Sequence, residues 1–193
     1  MKIYVIDNGG QWTHREWRTL RDLGIDTQIV PNTTPLNNIQ DATALVLSGG
    51  APRIGYHHQL GNCSQYLEKA SIPVLGICAG HQFMASYFGG EVAPSRIPEF
   101  GKVTLTVDRD NDLFCNIPQK SIVWVSHNDE VTRLPPAFMN LASSQNCKTQ
   151  AMKHETRPLY GLQFHPEVEH TTYGKEIFEN FITIARDHDR EGY

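Results

Sequence analysis

Residues 74–82 read VLGICAGHQ, and this stretch decides the architecture expected for the whole chain. An apolar run ends at Gly76, a single cysteine follows at Cys78, and Gly80 precedes a segment with helical character. The pattern G-x-C-x-G corresponds to the G-x-S-x-G nucleophile elbow, a sharp turn from a strand into a helix. We therefore predict that Cys78 lies on a strand-to-helix turn and acts as a nucleophile.

The chemistry of this turn supports the prediction. A cysteine at a helix N-terminus is favoured as the thiolate, which is the reactive form. The backbone N–H of Ala79 would point at the carbonyl oxygen of a bound substrate and supply half of an oxyanion hole. The alternative is that Cys78 is a small buried hydrophobic residue between packing glycines. The complete strand, glycine, cysteine, glycine and helix context favours the nucleophile, and the other three cysteines lack that context.

Strand and helix patterns alternate on both sides of the elbow. The strand candidates KIYVID, DTQIV, ALVLSGG and PVLGI alternate with the helical patterns QWTHREWRTLRDLG, GNCSQYLEKAS and GHQFMASYFGG. This order predicts a doubly wound α/β fold with a mixed, mainly parallel sheet and flanking helices. The later strand candidates KVTLTV, SIVWVS, NLASS, TQAMKH and PLYGLQF predict an antiparallel or mixed extension, followed by a last helix. We expect one domain over residues 1–193.

Composition narrows the range of partners. The chain has 193 residues, 39% of them hydrophobic, and a formal net charge of -4 without a basic run. Neither nucleic acid nor an anionic membrane is therefore an expected partner, and no apolar stretch reaches the length of a membrane span. Four separate cysteines without a CxxC pair or a secretion signal indicate reduced thiols and a cytoplasmic protein.

A cysteine nucleophile needs a base, and the base needs an orienting group. In LYGLQFHPEVEH, His165 follows a strand pattern and Glu167 comes two residues later, on the same side of an extended segment. Two alternatives are that His165 only caps a strand, or that His165, Glu167 and His170 bind a metal. Because Pro166 is tolerated only in the first turn of a helix, an HExxH-type arrangement is disfavoured and we expect no metal.

The segments GICAGHQ and GLQFHPEVEHT together resemble the class I, triad-type glutamine amidotransferases, which carry a G-x-C-x-G-x-Q elbow and a distal H-P-E segment. The resemblance implies a flavodoxin-like fold and L-glutamine as substrate. It also implies that Cys78 attacks the side-chain amide of glutamine and forms a γ-glutamyl thioester. His165 would be the general base and acid, and Glu167 its orienting group.

The same resemblance extends to the rest of the pocket. VLSGGAP is similar to the family's S-G-G-P loop, in which the backbone N–H of Gly50 would complete the oxyanion hole with Ala79. Gln82 matches a glutamine that helps to hold the substrate. VWVSHNDEV is similar to the S-H-x-D segment of GMP synthetase glutaminases. Four consecutive residues would then border the substrate, largely through backbone groups: Ser126, His127, Asn128 and Asp129.

Three longer segments, DNGGQ, SHNDEV and FHPEVEHTTYGKEIFENF, are most similar to GMP synthetases. An ATP-binding S-G-G-x-D-S loop is absent, because SGG continues as APR at residues 51–53. The resemblance therefore implies a glutaminase subunit without a cofactor of its own. A separate ATP pyrophosphatase subunit would use ATP and Mg²⁺ to aminate XMP to GMP.

We expect this partner to contact the rim around Cys78 and two segments predicted to be loops, residues 94–100 and 126–130. The alternatives are a glutaminase of anthranilate or carbamoyl phosphate synthesis, a non-catalytic binding module on the same fold, and a peptidase or γ-glutamyl hydrolase acting alone.

Overall fold

The computed structural model describes residues 1–56, 59–69 and 71–191. One nine-stranded sheet forms its centre. The strands are β1 (Lys2–Asp7), β2 (Asp26–Pro31), β3 (Ala44–Leu47), β4 (Val74–Ile77), β5 (Glu91–Val107), β6 (Lys120–Arg133), β7 (Phe138–Ser143), β8 (Ala151–His154) and β9 (Leu159–Leu162). The helices are α1 (Thr13–Asp22), α2 (Cys63–Lys69), α3 (Ala79–Tyr87) and α4 (Gly174–Glu191), and two short 3-10 helices cover Leu36–Ile39 and Ile54–Tyr56.

The strands follow the order β2-β1-β3-β4-β9-β8-β7-β5-β6 across the sheet. The first five of these pair in parallel, and the remaining pairs are antiparallel. This arrangement confirms the predicted mixed, mainly parallel, doubly wound fold. The last strand in the chain, β9, returns to pair in parallel with β4, the strand that leads into the elbow. The segments that follow β4 and β9 therefore leave the sheet at the same edge.

The central strands are apolar because helices cover both faces of the sheet. All four residues of β3, β4 and β9 are buried, as expected for parallel strands packed on both sides. Alternate residues of β1 belong to two separate hydrophobic clusters. One cluster includes side chains of α1 and α4, and the other includes side chains of α2 and α3. Within the described part of the chain, no helix is long and apolar enough to cross a membrane.

The segments predicted to be partner-facing loops form a long hairpin instead. Residues 94–100 belong to β5 and residues 126–130 belong to β6, so the prediction of loops was wrong. The ladder between these strands shifts register between Pro94 and Glu99. Pro94 and Pro98 lack the N–H that a ladder hydrogen bond requires, and a register shift accommodates such residues without ending the strand.

The elbow packs so tightly that two of its positions need glycine. A methyl group on Gly80 would lie 2.2 Å from the carbonyl oxygen of Leu47 in β3. A methyl group on Gly76 would lie 2.8 Å from the backbone of Gly80. The glycines of the G-x-C-x-G pattern thus allow α3 to start directly against the central strands.

Replacement of Gly80 by alanine should destabilise the protein by about 1–3 kcal/mol, because the added methyl group forces α3 away from β3. Urea unfolding measures this change. Ser86→Ala, on the exposed side of the same helix, is the control and should stay within about 0.5 kcal/mol of the parent. Equal stability of the two variants would contradict the tight packing of the elbow.

Candidate active site

Cys78 lies on the turn between β4 and α3. Its backbone has φ 49° and ψ -104°, a strained conformation for a residue with a side chain. Two hydrogen bonds hold the turn: the Cys78 N–H donates to the carbonyl of Leu162 at 2.7 Å, and the Cys78 carbonyl accepts the N–H of Gln82 at 3.0 Å. The residue is only 8% exposed. The structure therefore presents Cys78 at the predicted strand-to-helix turn, at the edge of the sheet.

His165 and Glu167 follow β9 and reach the same edge. The Nδ1 atom of His165 lies 2.7 Å from Oε1 of Glu167. The His165 backbone is held by its N–H, which donates to the Trp124 carbonyl, and by its carbonyl, which accepts the Thr171 hydroxyl. Because Glu167 accepts a hydrogen bond from Nδ1, Nε2 is left for the Cys78 thiol, which lines the same cavity.

The charges around His165 favour its protonated form. Burial opposes protonation of the imidazole, but the Glu167 charge and hydrogen bonds to Cys78 and Glu167 outweigh it. Together they raise the pKa of His165 well above its ordinary value of 6.5. An imidazolium beside a cysteine stabilises the thiolate, so the three groups have the electrostatics of an activated nucleophile.

Two glycine-rich loops close one side of the site. The loop at residues 48–50 follows β3, and a methyl group on Gly49 would lie 3.6 Å from Cβ of Cys78 and 3.2 Å from Cε1 of His165. A methyl group on Gly50 would lie 2.4 Å from the carbonyl oxygen of Asn8 in the loop after β1. Close packing of the Gly50 backbone against the Asn8 backbone holds this loop beside Cys78. The oxyanion role of the N–H groups of Gly50 and Ala79 stays a prediction.

A cavity of about 270 Å³ contains the three candidate catalytic groups. Its lining is mostly loop and helix start: Gly9, Gly10, Gln11, Trp12, Thr13, Glu16, Gly49, Gly50, Ala51, Cys78, Ser126, His165 and Glu167. Trp12 meets the His165 ring edge-on with centroids 4.4 Å apart. Sequence reasoning did not assign the residues from α1 and the loop before it. A larger groove of about 790 Å³ at the opposite end of β4 and β9 includes none of the candidate catalytic residues.

Ser126 is the member of the predicted substrate-binding segment that lines this cavity. Its carbonyl oxygen lies 3.9 Å from Sγ of Cys78. Asn128 is exposed, whereas His127 and Asp129 are buried away from the lining. Contact of these three residues with substrate stays a prediction.

Gln82 forms a bridge behind the nucleophile. Its amide nitrogen donates to the Asp129 carbonyl at 2.7 Å and to Oε1 of Gln163 at 3.0 Å. The Gln163 amide in turn donates to Sγ of Cys78 at 3.7 Å. Gln82 does not line the cavity. In this structure it links α3, β6 and the segment after β9, and a direct contact with substrate stays a prediction.

Arg53 links the glycine loop to the same framework. Its guanidinium forms an ion pair with the buried carboxylate of Asp129, with Nε 3.0 Å from Oδ2. Arg53 comes three residues after Gly50, so this pair ties the loop to β6. Sequence reasoning missed it, because nothing local to either residue indicates that they meet.

One buried group among the described residues has the donor types of a metal site. The ligand atoms of Glu99, His127 and Cys147 all lie within 4.8 Å of one another. Both ring nitrogens of His127 already face oxygen atoms, Nδ1 that of the Asp129 carbonyl at 3.0 Å and Nε2 that of the Glu99 carboxylate at 3.1 Å. Burial, together with the charge of Glu130, raises the pKa of the Cys147 thiol. The group forms a hydrogen-bond network here, and the expectation that the chain holds no metal stays a prediction.

The amino-acid sequence of this chain matches a known protein family. The sequence model of the glutamine amidotransferase class-I family matches residues 4–185. The chain belongs to this family. The resemblance drawn from GICAGHQ and GLQFHPEVEHT is thereby confirmed. The catalytic roles of Cys78, His165 and Glu167 within this family stay a prediction.

Two relatives align with 96% of this chain. A protein from Thermoplasma acidophilum, named as a glutamine-hydrolyzing GMP synthase subunit, is 50% identical over 186 residues, which are 96% of this chain and 93% of the relative. The protein of the same name from Archaeoglobus fulgidus is 48% identical and is covered over its whole length, with 96% of this chain.

Solved structures agree with this assignment. A crystal structure described as that of a GMP synthase subunit from Thermoplasma acidophilum matches with a TM-score of 0.95 and 49% identity, covering 99% of this chain and 96% of that one. A glutamine amidotransferase from Thermotoga maritima has a TM-score of 0.70 at 21% identity, covers 99% of this chain and 91% of that one, and shares the fold.

Glu167→Gln should slow alkylation of Cys78 by iodoacetamide about tenfold near neutral pH, because a neutral amide no longer favours the imidazolium that stabilises the thiolate. Peptide mass spectrometry measures the rate at Cys78. The exposed Cys115 reports the intrinsic reactivity of a free thiol in the same sample.

The matched control is Glu169→Gln, which removes a 75% exposed carboxylate two residues further on. It should leave the rate at Cys78 unchanged. A Glu167→Gln variant that is alkylated at Cys78 as fast as the parent protein would contradict the electrostatic role given to this residue.

Proposed function

We propose that this chain is the glutamine-hydrolysing subunit of a GMP synthase and acts as one glutaminase domain. The observation that carries the proposal is the cysteine on a strained elbow beside a His165–Glu167 pair at 2.7 Å, in a chain about half identical to proteins named as glutamine-hydrolyzing GMP synthase subunits. That pair is what a thiolate nucleophile needs for acyl transfer from an amide.

The first half of the proposed reaction releases ammonia. The Cys78 thiolate attacks the side-chain carbonyl carbon of glutamine, and the carbonyl oxygen becomes an oxyanion that the N–H groups of Gly50 and Ala79 stabilise. The imidazolium of His165 then donates its proton to the amide nitrogen. The carbon–nitrogen bond breaks, ammonia leaves, and a γ-glutamyl thioester remains on Cys78.

The second half regenerates the enzyme. Neutral His165 takes a proton from water, and the hydroxide attacks the thioester carbon. The carbon–sulfur bond breaks, glutamate leaves, and the Cys78 thiolate is restored beside the His165 imidazolium. In this scheme glutamine and water are converted to ammonia and the side-chain carboxylic acid of glutamate, which then releases its proton. Glu167 keeps Nδ1 protonated throughout, so that Nε2 carries the proton exchanged with the reacting atoms.

The ammonia goes to a separate ATP pyrophosphatase subunit in this proposal. That subunit would bind ATP and Mg²⁺, activate XMP and accept the ammonia to form GMP. This chain would bind no cofactor of its own. The four cysteines are free thiols, which agrees with a cytoplasmic setting for the complex.

Exposed apolar side chains in β5 support docking of such a partner. Ile97 and Phe100, in β5, are 52% and 62% exposed. Phe100 is paired in register with Ser126, which lines the cavity. Exposed apolar side chains next to a reaction site are typical of a protein contact, and a partner seated there would cover the route by which ammonia leaves.

Mixing this chain with the candidate ATP pyrophosphatase subunit, XMP, ATP, Mg²⁺ and glutamine should yield GMP. Cys78→Ala should abolish the glutamine-dependent reaction, and ammonium chloride should restore it, because ammonia bypasses the thioester. Chromatography of the nucleotides measures the product. If ammonium supports GMP formation but glutamine does not with the parent chain, the pairing is wrong and another ammonia-using synthetase is the partner.

Phe100→Asp should weaken binding of the ATP pyrophosphatase partner by at least about tenfold, because a buried unpaired charge is costly at an interface. Alkylation of free Cys78 should not change. Titration calorimetry measures the affinity. Tyr87→Asp replaces an exposed aromatic residue at the far end of α3 and should bind normally. Normal affinity of Phe100→Asp would place the interface elsewhere.

A further inference from the structure

Glu16 is a buried carboxyl group that the proposed reaction does not use. It lies on α1, where Thr13, Glu16 and Leu20 form the buried face of the helix. The residue is only 1% exposed and lines the same cavity as Cys78 and His165. A glutamate is almost never fully buried unless another group compensates for the lost water. Burial at this position therefore requires a compensating group or a loss of the charge.

Two carboxyl oxygens at this cavity have no hydrogen-bond partner within the described structure. One is Oε2 of Glu16 and the other is Oε2 of Glu167. The second oxygen of Glu167 already contacts His165. Two buried carboxylates facing one small space would repel each other and leave both oxygens unsatisfied. A single proton held between them removes both penalties at once.

The surrounding charges favour placing that proton on Glu16. Burial raises the pKa of Glu16 well above 4.5, and the charges of Glu167 and Asp7 raise it further. The charge of His165 and the backbone N–H of Gly49 act in the opposite direction and do not cancel the increase. Glu167, by contrast, has the His165 imidazole as a direct partner. The remaining titratable group that lines the cavity is Cys78.

We propose that Glu16 is a positioning residue of the triad. Its neutral carboxyl group donates a hydrogen bond to Oε2 of Glu167, directly or through one water in the cavity, and so keeps Oε1 of Glu167 on His165. Glu16 and Gly49 line the same cavity, so the glycine loop lies near the same acid. The effect on glutamine hydrolysis rests on the proposed function, but the protonation and the effect on Cys78 do not.

The test compares Glu16→Gln with Glu16→Leu by the pH dependence of Cys78 alkylation. Leucine cannot donate to Glu167, so the rate near neutral pH should fall about tenfold. Glutamine donates through its amide and should restore the rate to within about threefold of the parent. Asp22→Asn, which removes a 59% exposed carboxylate on the same helix, should change nothing. Equal rates for Glu16→Leu and the parent protein would overturn the proposal.

A double variant separates positioning from general packing. If Glu16 acts through Glu167, then Glu16→Leu should cause no further loss in a Glu167→Gln background. A purely structural contribution would instead give the same fold-loss in both backgrounds, and that result would overturn the proposal.

Infrared spectroscopy tests the proton itself and does not depend on the leucine variant folding. The difference spectrum between the parent protein and Glu16→Gln at neutral pH should contain the carbonyl band of a protonated carboxylic acid, and the band should disappear as the pH is raised. A spectrum with only a carboxylate band at Glu16 would overturn the proposal.

The role of Glu16 and the proposed function can be tested independently of each other. Alkylation and the infrared band need neither glutamine nor a partner protein. Absence of glutamine hydrolysis with any partner would contradict the proposed function and leave the result on Glu16 intact.

Discussion

The parallel pairing of β4 with β9 is the constraint on which the candidate site depends. Ile77 pairs with Leu162, and the N–H of Cys78 donates to the Leu162 carbonyl. Side-by-side parallel strands end at the same edge, so the residues that follow them become neighbours. Between β4 and β9 the chain forms α3 and the four strands β5 to β8, and it then returns to pair with β4. Because β9 pairs with β4, His165 lies beside Cys78, although nearly half the chain separates the two residues.

A framework of buried polar groups holds the arrangement in place. The Asp129 carbonyl accepts hydrogen bonds from Gln82 and His127, while its carboxylate pairs with Arg53. These contacts join α3, β6 and the segment around Arg53 that follows the glycine loop. Satisfied networks of this kind rigidify a site, because loss of one member leaves its buried partners without hydrogen bonds. In this structure His127 and Asp129 of the predicted S-H-x-D segment belong to this framework, whereas Ser126 lines the cavity.

The alternation of strands and helices, and the elbow itself, could be predicted because both depend on local patterns. Continuous apolar runs identified β3 and β4, and glycine spacing identified the turn at Cys78. Two parts of the hairpin, residues 94–100 and 126–130, were wrongly predicted to be loops. Although Pro94 and Pro98 lie in the first of them, β5 continues through a register shift. The spacing of Glu16 from Thr13 and Leu20 is that of one helix face, which is the buried face of α1. A charged residue on a helix is normally exposed, so this burial was not expected.

The family and the doubly wound class follow from the sequence alone, and the same motifs predict three catalytic residues, because motif spacing and apolar periodicity are local properties of the chain. Which distant residues contact these three groups depends on the tertiary structure. The contacts of Arg53 with Asp129, of Trp12 with His165 and of Glu16 with the cavity join residues from different elements. Such contacts depend on how helices and loops pack at one edge of the sheet, and packing is a property of the whole fold.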